Sequence, residues 1–398
     1  MRLIRHLTVA LLLSALLSAV ASAGAIPDTE AHAILLADTR TGELLFSKNS
    51  SQTTYIASIT KLMTAILLVE SDRLQDDFAV SHFAASTPPI SLYAQPGSSL
   101  PGYELLQALL IMSANDVAVI VAEGLAGSVE AFAEKMTQRA HALGAENTYF
   151  TNPHGLHDPE HVSTAQDVLV ITRHALSLSD IRDICTSCEV YLPSLDRTIR
   201  STNPLLDNYP GAVGLKTGYT RAAGSCLVAV AQRGETELVA IVLDAPLGSA
   251  GDEAAAFLDY GFSLYDEYQV IEAGMSLGNA PVEKARHDMG LTAGTSIRLV
   301  IRDPALISTK LDVLPLQAPV QAGDELGELK VYYAGIHMAT TSVLAERDAP
   351  IAWYYRNEIW LVLAFVVLMV MWQRSMHRRR RLARVRAHWH TKRKWFYS

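Results

Sequence analysis

Apolar and polar positions alternate along this chain with a period that changes from segment to segment, and each change marks an element. "HAILLADTRTGELLFSKN" reads as two strands around a turn at Asp38 to Gly42. In "YIASITKLMTAILL", residues 55 to 68, the residues Ile59, Leu62, Met63, Ile66 and Leu67 follow a helical spacing. Helical patterns then dominate. "GYELLQALLIM" starts after Pro101, "DVAVIVAEGLAG" follows Ser113-Ala114-Asn115, and "SVEAFAEKMTQRAHALG" ends at Gly144 as a C-cap glycine. A further helix runs from about Thr164 to Ser177, after which strands return with "EVYLPS", "TIRST", "AVGLKTG", "SCLVAVAQ" and "TELVAIVLDA". One more helix, about Asp252 to Tyr265, closes this part. A sheet interrupted by an all-helical insertion is an α+β plan, assigned to residues 24–268.

From about Val270 the texture changes. Short β-like runs ("SIRLVI", "KLDVLPL", "ELKVYYAG", "TTSVLA") are spaced by Gly, Pro and Asp turns with no helical pattern between them. They predict a small all-β sandwich over residues 269–346.

Both ends of the chain are apolar. Arg2, Arg5 and His6 precede "LTVALLLSALLSAV" and the small residues Ala21-Ser22-Ala23, which together read as a secretory signal over residues 1–23. The run "IWLVLAFVVLMVMW", flanked by Trp353, Tyr354 and Tyr355, predicts a transmembrane anchor over residues 353–373. Its fourteen apolar residues rise only about 21 Å, so spanning a core of about 30 Å requires Arg356 and Glu358 to snorkel or the bilayer to thin. The tail, residues 374–398, carries ten Lys or Arg and no acid, which orients it to the cytoplasm. Residues 24–372 hold 41 acids and 21 bases, a net charge near −20 on the exported part. Nucleic acid is therefore not an expected partner: the basic cluster lies beside a membrane segment, where it meets anionic lipid.

Three cysteines leave at least one unpaired. Cys185 and Cys188 have a spacing that could close a small disulfide, although no thioredoxin-like pattern surrounds them, and Cys226 in "SCLVAVA" reads as a small buried hydrophobe.

The helix at residue 58 carries a cation, Lys61, in its first turn, where the helix dipole makes it unwelcome. Ser58 and Lys61 lie on one face, and the free N–H of Ser58 can point at an anion, so a nucleophile, a base and half of an oxyanion hole fit into four residues. Helix terminus, partial burial and a second cation nearby all disfavour the ammonium and leave an amine able to take the Ser58 proton. By itself this spacing is common in helices. Two further elements change the weighting: Ser113 and Asn115 between two apolar helices, where a hydroxyl can relay a proton and an amide can hold a carbonyl, and Lys216-Thr217-Gly218 on a strand, where cation and hydroxyl can grip a carboxylate.

With these motifs the chain resembles the penicillin-recognising serine acyl-transferases, and more narrowly the low-molecular-weight penicillin-binding proteins that act as D-alanyl-D-alanine carboxypeptidases. The narrower resemblance rests on "ASITKLMTA", "MSANDVAV", "FTNPHGL", "STAQD", "TNPLL" and "GLKTGYTRAAGSCLVAVA", in that order, with the β-module and anchor behind them. It implies a β-lactamase/transpeptidase-like catalytic domain, no cofactor, peptidoglycan stem peptides ending in D-Ala-D-Ala as substrates and β-lactams as inhibitors. It implies Ser58 as the acylated nucleophile, Lys61 as its general base and Ser113 as the proton relay. Asn115, Lys216, Thr217, Gly218 and Tyr219 are implied to bind substrate, with the N–H groups of Ser58 and Tyr219 as the oxyanion hole. Gln166 in "STAQD" departs from the basic residue frequent in the family, at an expected substrate edge. The loop "HGLHDPEH", with His154, His157, Asp158 and His161, has the residue types of a metal site, but its Pro and Gly and the motif "NPHGL" point to a structural loop.

Competing readings remain open at this level. A β-lactamase is weakened by the lack of an ExxLN segment between the second and third motifs. A signalling β-lactam receptor is weakened by a cytoplasmic part of only about 26 residues, too small for a domain. A DD-endopeptidase is poorly separated from a carboxypeptidase by sequence.

Overall fold

A strand that is apolar on both faces needs a cover on each side, and "AILLAD", "SCLVAVA" and "TELVAIVLDA" all have that character. In a computed structural model of the chain, residues 24–395 are described, with side chains to residue 386; the segment read as a secretory signal lies outside the described residues. The chain divides into two compact units, one reaching Glu267 and taking in Val300–Arg302, the other holding Tyr268–Leu299 and everything from Asp303 on.

The first unit runs through β1 (Ala33–Asp38), β2 (Leu44–Lys48), a 3-10 turn at Ala57–Thr60, α1 (Lys61–Glu70), β3 (Asp77–Ala79), α2 (His82–Ala85), β4 (Ser99–Pro101), α3 (Gly102–Ile111), α4 (Asn115–Ala126), α5 (Val129–Leu143), α6 (Ala165–Ser177) and α7 (Ser179–Cys185). It continues with β5 (Glu189–Leu192), β6 (Arg197–Arg200), α8 (Leu205–Asn208), β7 (Ala212–Thr220), β8 (Gly224–Arg233), β9 (Thr236–Ala245) and α9 (Ala250–Phe262). Five strands form one antiparallel sheet in the order β2-β1-β9-β8-β7, with Ile34 opposite Val242 and Gly218 opposite Cys226. Alternate residues serve opposite cores. Leu35, Val228 and Ile241 face the helical layer of α1 and α3–α6, whereas Ile34, Leu227 and Val242 pack on Phe257 and Leu258 of α9. Helices on both faces account for the near-continuous apolar runs.

Two caps show how local chemistry cuts the helices. Ser128 accepts the Ala131 N–H at 3.1 Å to start α5, and Thr164 accepts the Asp167 N–H at 3.0 Å to start α6. The first core helix differs from the sequence expectation: it does not begin at Ser58. Ala57 has a left-handed φ of 45°, the chain tightens into the 3-10 turn Ala57–Thr60, and the α-helix opens at Lys61. Cys185 and Cys188 are free thiols, Cys185 buried at the end of α7.

The second unit contains most of β10 (Asp266–Ile271) and of β14 (Ile297–Ile301), together with β11 (Ser276–Ala280), β12 (Val282–Glu283), β13 (Met289–Ala293), β15 (Ile307–Val313), β16 (Leu316–Gln317), β17 (Glu325–Tyr333) and β18 (Ile336–Ala345). A five-stranded antiparallel sheet has the order β11-β13-β18-β17-β15, and β12 pairs in parallel with β16. Leu291, Leu329, Val331 and Val343 are buried along it, every second residue as strand geometry requires. Behind it α10 (Asn357–Trp395) is one helix of 39 residues, so the apolar run and the basic tail share one element. Its stretch 357–386 is long and apolar enough to cross a membrane, and none of its most apolar window is buried.

The loop that underlies the 3-10 turn tolerates no side chain at Gly155. Its φ is 82°, and a Cβ there would lie 1.9 Å from the Ala57 carbonyl oxygen. Gly155→Ala should therefore cost about 2 kcal/mol or more in denaturant unfolding; a change below about 0.5 kcal/mol would contradict this packing.

Candidate active site

Lys61 is fully buried at the first position of α1. Its Nζ meets three oxygens: Ser58 Oγ at 2.9 Å, Asn115 Oδ1 at 2.7 Å and the His154 carbonyl at 2.8 Å. Two of these are acceptors that carry no proton, since the Asn115 amide is oriented by donating Nδ2–H to the Pro88 carbonyl at 2.9 Å. A neutral amine has two hydrogens, and both are used there. Its lone pair is then left for Ser58 Oγ. Burial is the largest cause holding the Lys61 pKa well below the ordinary lysine value, the Lys216 charge adds to it, and Asp116 opposes it.

Three chain segments meet around the Ser58 turn. Ser58 sits in the 3-10 turn, whose last residue leads directly into α1. Ser113 and Asn115 lie in the sharp turn from α3 to α4, where Ser113 has a φ of 66° and the Asn115 N–H donates to the Ile90 carbonyl at 2.7 Å. Next to them the buried Asp116 carboxylate accepts the N–H groups of Leu92 and Ala94, at 2.9 and 3.3 Å, and so ties the loop 88–94 to the start of α4. The third segment is β7, the edge strand of the sheet. Gly218 brings that edge against the Ser58 turn: a Cβ on it would come within 2.9 Å of the Ser58 nitrogen.

Lys216 is also buried, and burial pushes its pKa down to about 7 against the influence of the Cys185 sulfur. Its Nζ donates to the Thr217 carbonyl at 3.0 Å. Thr217 Oγ1 is 2.6 Å from Thr202 Oγ1, and Tyr219 is half exposed at the rim. A cleft of about 480 Å³ opens over these groups, lined by Ser58, Ser113, Asn115, Thr217, Gly218 and Tyr219 together with Ile90 and Leu247. Every residue singled out in the sequence as catalytic or substrate-binding thus lies in this cleft or immediately beneath it. An acyl group seated there would meet the Ser58 hydroxyl, with the Lys61 amine 2.9 Å behind it.

Several contributors gave no signal of their own. The His154 carbonyl, the Pro88 and Ile90 carbonyls and the Asp116 clamp act through backbone or from loops far along the chain. Thr202 stood within the motif "TNPLL" and now appears as the partner of Thr217. Gln166, expected at the substrate edge, instead bonds to Ser50 through its N–H at 3.0 Å and is not among the residues lining the cleft. In the histidine-rich loop the His154 and His161 rings accept backbone N–H groups, from Leu156 and Thr151, and burial lowers their pKa values to about 3 and about 4.

A model of the D-alanyl-D-alanine carboxypeptidase family matches residues 20–247. The carboxypeptidase DacF of Bacillus subtilis is 32% identical over 340 residues, which cover 80% of this chain and 86% of that protein. The solved structure of penicillin binding protein 5 from Haemophilus influenzae matches with a TM-score of 0.59 at 25% identity, covering 82% of this chain and 99% of the other. Penicillin-binding protein D2 from Listeria monocytogenes, solved with ampicillin bound, matches with a TM-score of 0.55 at 29% identity, over 59% of this chain and all of that one. On these matches the chain belongs to the D-alanyl-D-alanine carboxypeptidase family of serine peptidases.

Proposed function

We propose that this protein removes the terminal D-alanine from peptidoglycan stem peptides through an acyl-enzyme on Ser58. The observation that carries the reading is the buried Lys61 Nζ, 2.9 Å from Ser58 Oγ and fixed by Asn115 Oδ1 and the His154 carbonyl; as a neutral amine it gives its two hydrogens to those acceptors and turns its lone pair to Ser58 Oγ. Ser58 Oγ attacks the carbonyl of the penultimate D-alanine while its proton passes to Lys61 Nζ. The tetrahedral oxyanion lies between the N–H groups of Ser58 and Tyr219, an arrangement worth about 3 to 4 kcal/mol for a single donor. Ser113 delivers its proton to the departing nitrogen and takes one back from the Lys61 ammonium, the C–N bond breaks, and D-alanine leaves. Water then attacks the ester, the hydroxyl of Ser58 is restored and the shortened peptide is released. Asn115 binds the substrate amide, Thr217 and the Lys216 cation recognise the terminal carboxylate, and Gly218 lets the peptide lie along the strand edge.

β-Lactams acylate the same serine, as the ampicillin-bound relative supports. The helix α10 anchors the protein in the membrane with its basic part inside the cell and the catalytic unit outside, in keeping with the positive-inside rule.

Purified protein should release D-alanine from a pentapeptide ending in D-Ala-D-Ala, and Ser58→Ala should abolish both that release and covalent labelling by penicillin. Labelling without release would favour a receptor, rapid penicillin turnover a β-lactamase, and cleavage of cross-linked dimers ahead of pentapeptide an endopeptidase. The pH dependence of kcat/KM should show an alkaline limb beginning near pH 7, because Lys216 loses its charge there. Lys216→Arg keeps a cation at every accessible pH and should shift that limb upward; an unshifted limb would remove Lys216 from carboxylate recognition.

A further inference from the structure

The turn that carries Ser58 is strained and has to be held. Ala57, immediately before Ser58, adopts φ 45°, a left-handed conformation that is strained for a residue with a Cβ. Its carbonyl is fixed from one side by the Thr60 hydroxyl, Oγ1 to O 2.7 Å, and crowded from the other by Gly155. Thr60 is itself engaged. His161 Nε2 lies 2.8 Å from Thr60 Oγ1, and both side chains are buried, at 3% and 1% exposure. On the far side of the ring, Nδ1 accepts the Thr151 N–H at 3.1 Å. A backbone nitrogen can only donate, so Nδ1 carries no proton and the ring hydrogen is on Nε2. The directions of the three hydrogen bonds are then settled in sequence: Thr151 N–H to His161 Nδ1, His161 Nε2–H to Thr60 Oγ1, Thr60 O–H to the Ala57 carbonyl. Phe150 packs edge-on against the imidazole with ring centroids 5.4 Å apart and restrains its rotation.

We propose that His161 is a positioning residue for acylation, acting through Thr60 to clamp the left-handed Ala57 carbonyl and thereby aim Ser58 Oγ and N–H at the bound carbonyl. The inference rests on Ser58 being the acylated group. Neither His161 nor Thr60 lines the cleft, so neither touches substrate. Loss of the relay lets the Ala57 peptide rotate toward an ordinary conformation and moves the nucleophile, and a displacement of about 1 Å at a reacting centre costs on the order of a hundredfold in rate. Ground-state binding in the cleft is left in place. His161 at this position thus has a use that needs neither a metal nor a titration: its fixed tautomer transmits direction along the chain of hydrogen bonds.

The test resolves penicillin acylation of the full-length protein by stopped flow into a dissociation constant and an acylation rate constant, for Thr60→Val, His161→Leu, the double variant and His161→Gln. We expect the rate constant to fall by about tenfold to a hundredfold in both single variants with the dissociation constant nearly unchanged. The double variant should be no slower than the worse single one, since one relay is broken once. His161→Gln keeps an N–H near the Nε2 position and should recover most of the rate. Rate constants within about twofold of wild type in folded Thr60→Val, or losses that multiply in the double variant, or a glutamine variant no faster than the leucine one, would overturn the relay. Thr60→Val preserves shape and carries the test alone if His161→Leu fails to fold. Ser58→Ala is run alongside: labelling in that variant would overturn the nucleophile itself, whereas its silence together with an unimpaired Thr60→Val would overturn only the relay.

Discussion

A primary amine buried away from solvent, with two fixed acceptors beside it, is the constraint from which the rest of this site follows. Burying Lys61 as an ammonium would cost several kcal/mol without a carboxylate in direct contact, and its three neighbours are a hydroxyl, an amide oxygen and a backbone carbonyl. None of them supplies a full negative charge. Burial therefore favours the neutral amine and holds the lysine pKa well below that of an exposed one, the direction that the proposed role as a base requires. Each acceptor comes from a different part of the chain: Asn115 from the start of α4, the His154 carbonyl from the loop before α6. The helical layer has to close correctly for the amine to be both neutral and aimed.

The sheet imposes the second condition. With strands β1, β8 and β9 apolar on both faces, the sheet is locked between α9 and the helical layer, and its β7 edge falls beside the turn that carries Ser58. Gly218 allows that edge to approach within van der Waals range of the Ser58 nitrogen, where any larger residue would hold it off. Packing energy stored in two hydrophobic cores is thereby converted into the position of a few polar atoms. The strain at Ala57 and Ser113, both non-glycine residues with positive φ, is borne by the same packing, as backbone strain at reactive sites generally is.

Much of this was legible in the sequence because the chemistry is local. Ser58 and Lys61 are three residues apart, Ser113 and Asn115 two, Lys216 and Gly218 two, and the apolar periods around them identified a helix, an interhelical turn and a strand. The α+β plan followed from strands on either side of a helical run. What the sequence did not reveal lies in contacts between residues far apart in the chain. The 3-10 turn at Ala57–Thr60 was read as part of the helix because Ile59 and Leu62 keep the helical period; the left-handed Ala57 that breaks it is stabilised by Thr60 and by Gly155, nearly a hundred residues later. Asp116 clamps the loop at Leu92 and Ala94, and His161 reaches back to Thr60, and neither role leaves a local signature. Gln166 was assigned to the substrate edge by motif position alone, and its actual partner is Ser50. The terminal helix also exceeded its apolar run, since Arg-rich sequence is as good a helix former as Leu-rich sequence.

The most direct measurement is the ionisation of Lys61 itself, followed by NMR of protein labelled at lysine side chains, with the resonance assigned by its loss in Lys61→Arg. The account predicts a lysine that titrates far below the surface lysines. A Lys61 signal that moves together with those of the exposed lysines would mean a charged ammonium beside Ser58, and the mechanism built on its lone pair would be wrong.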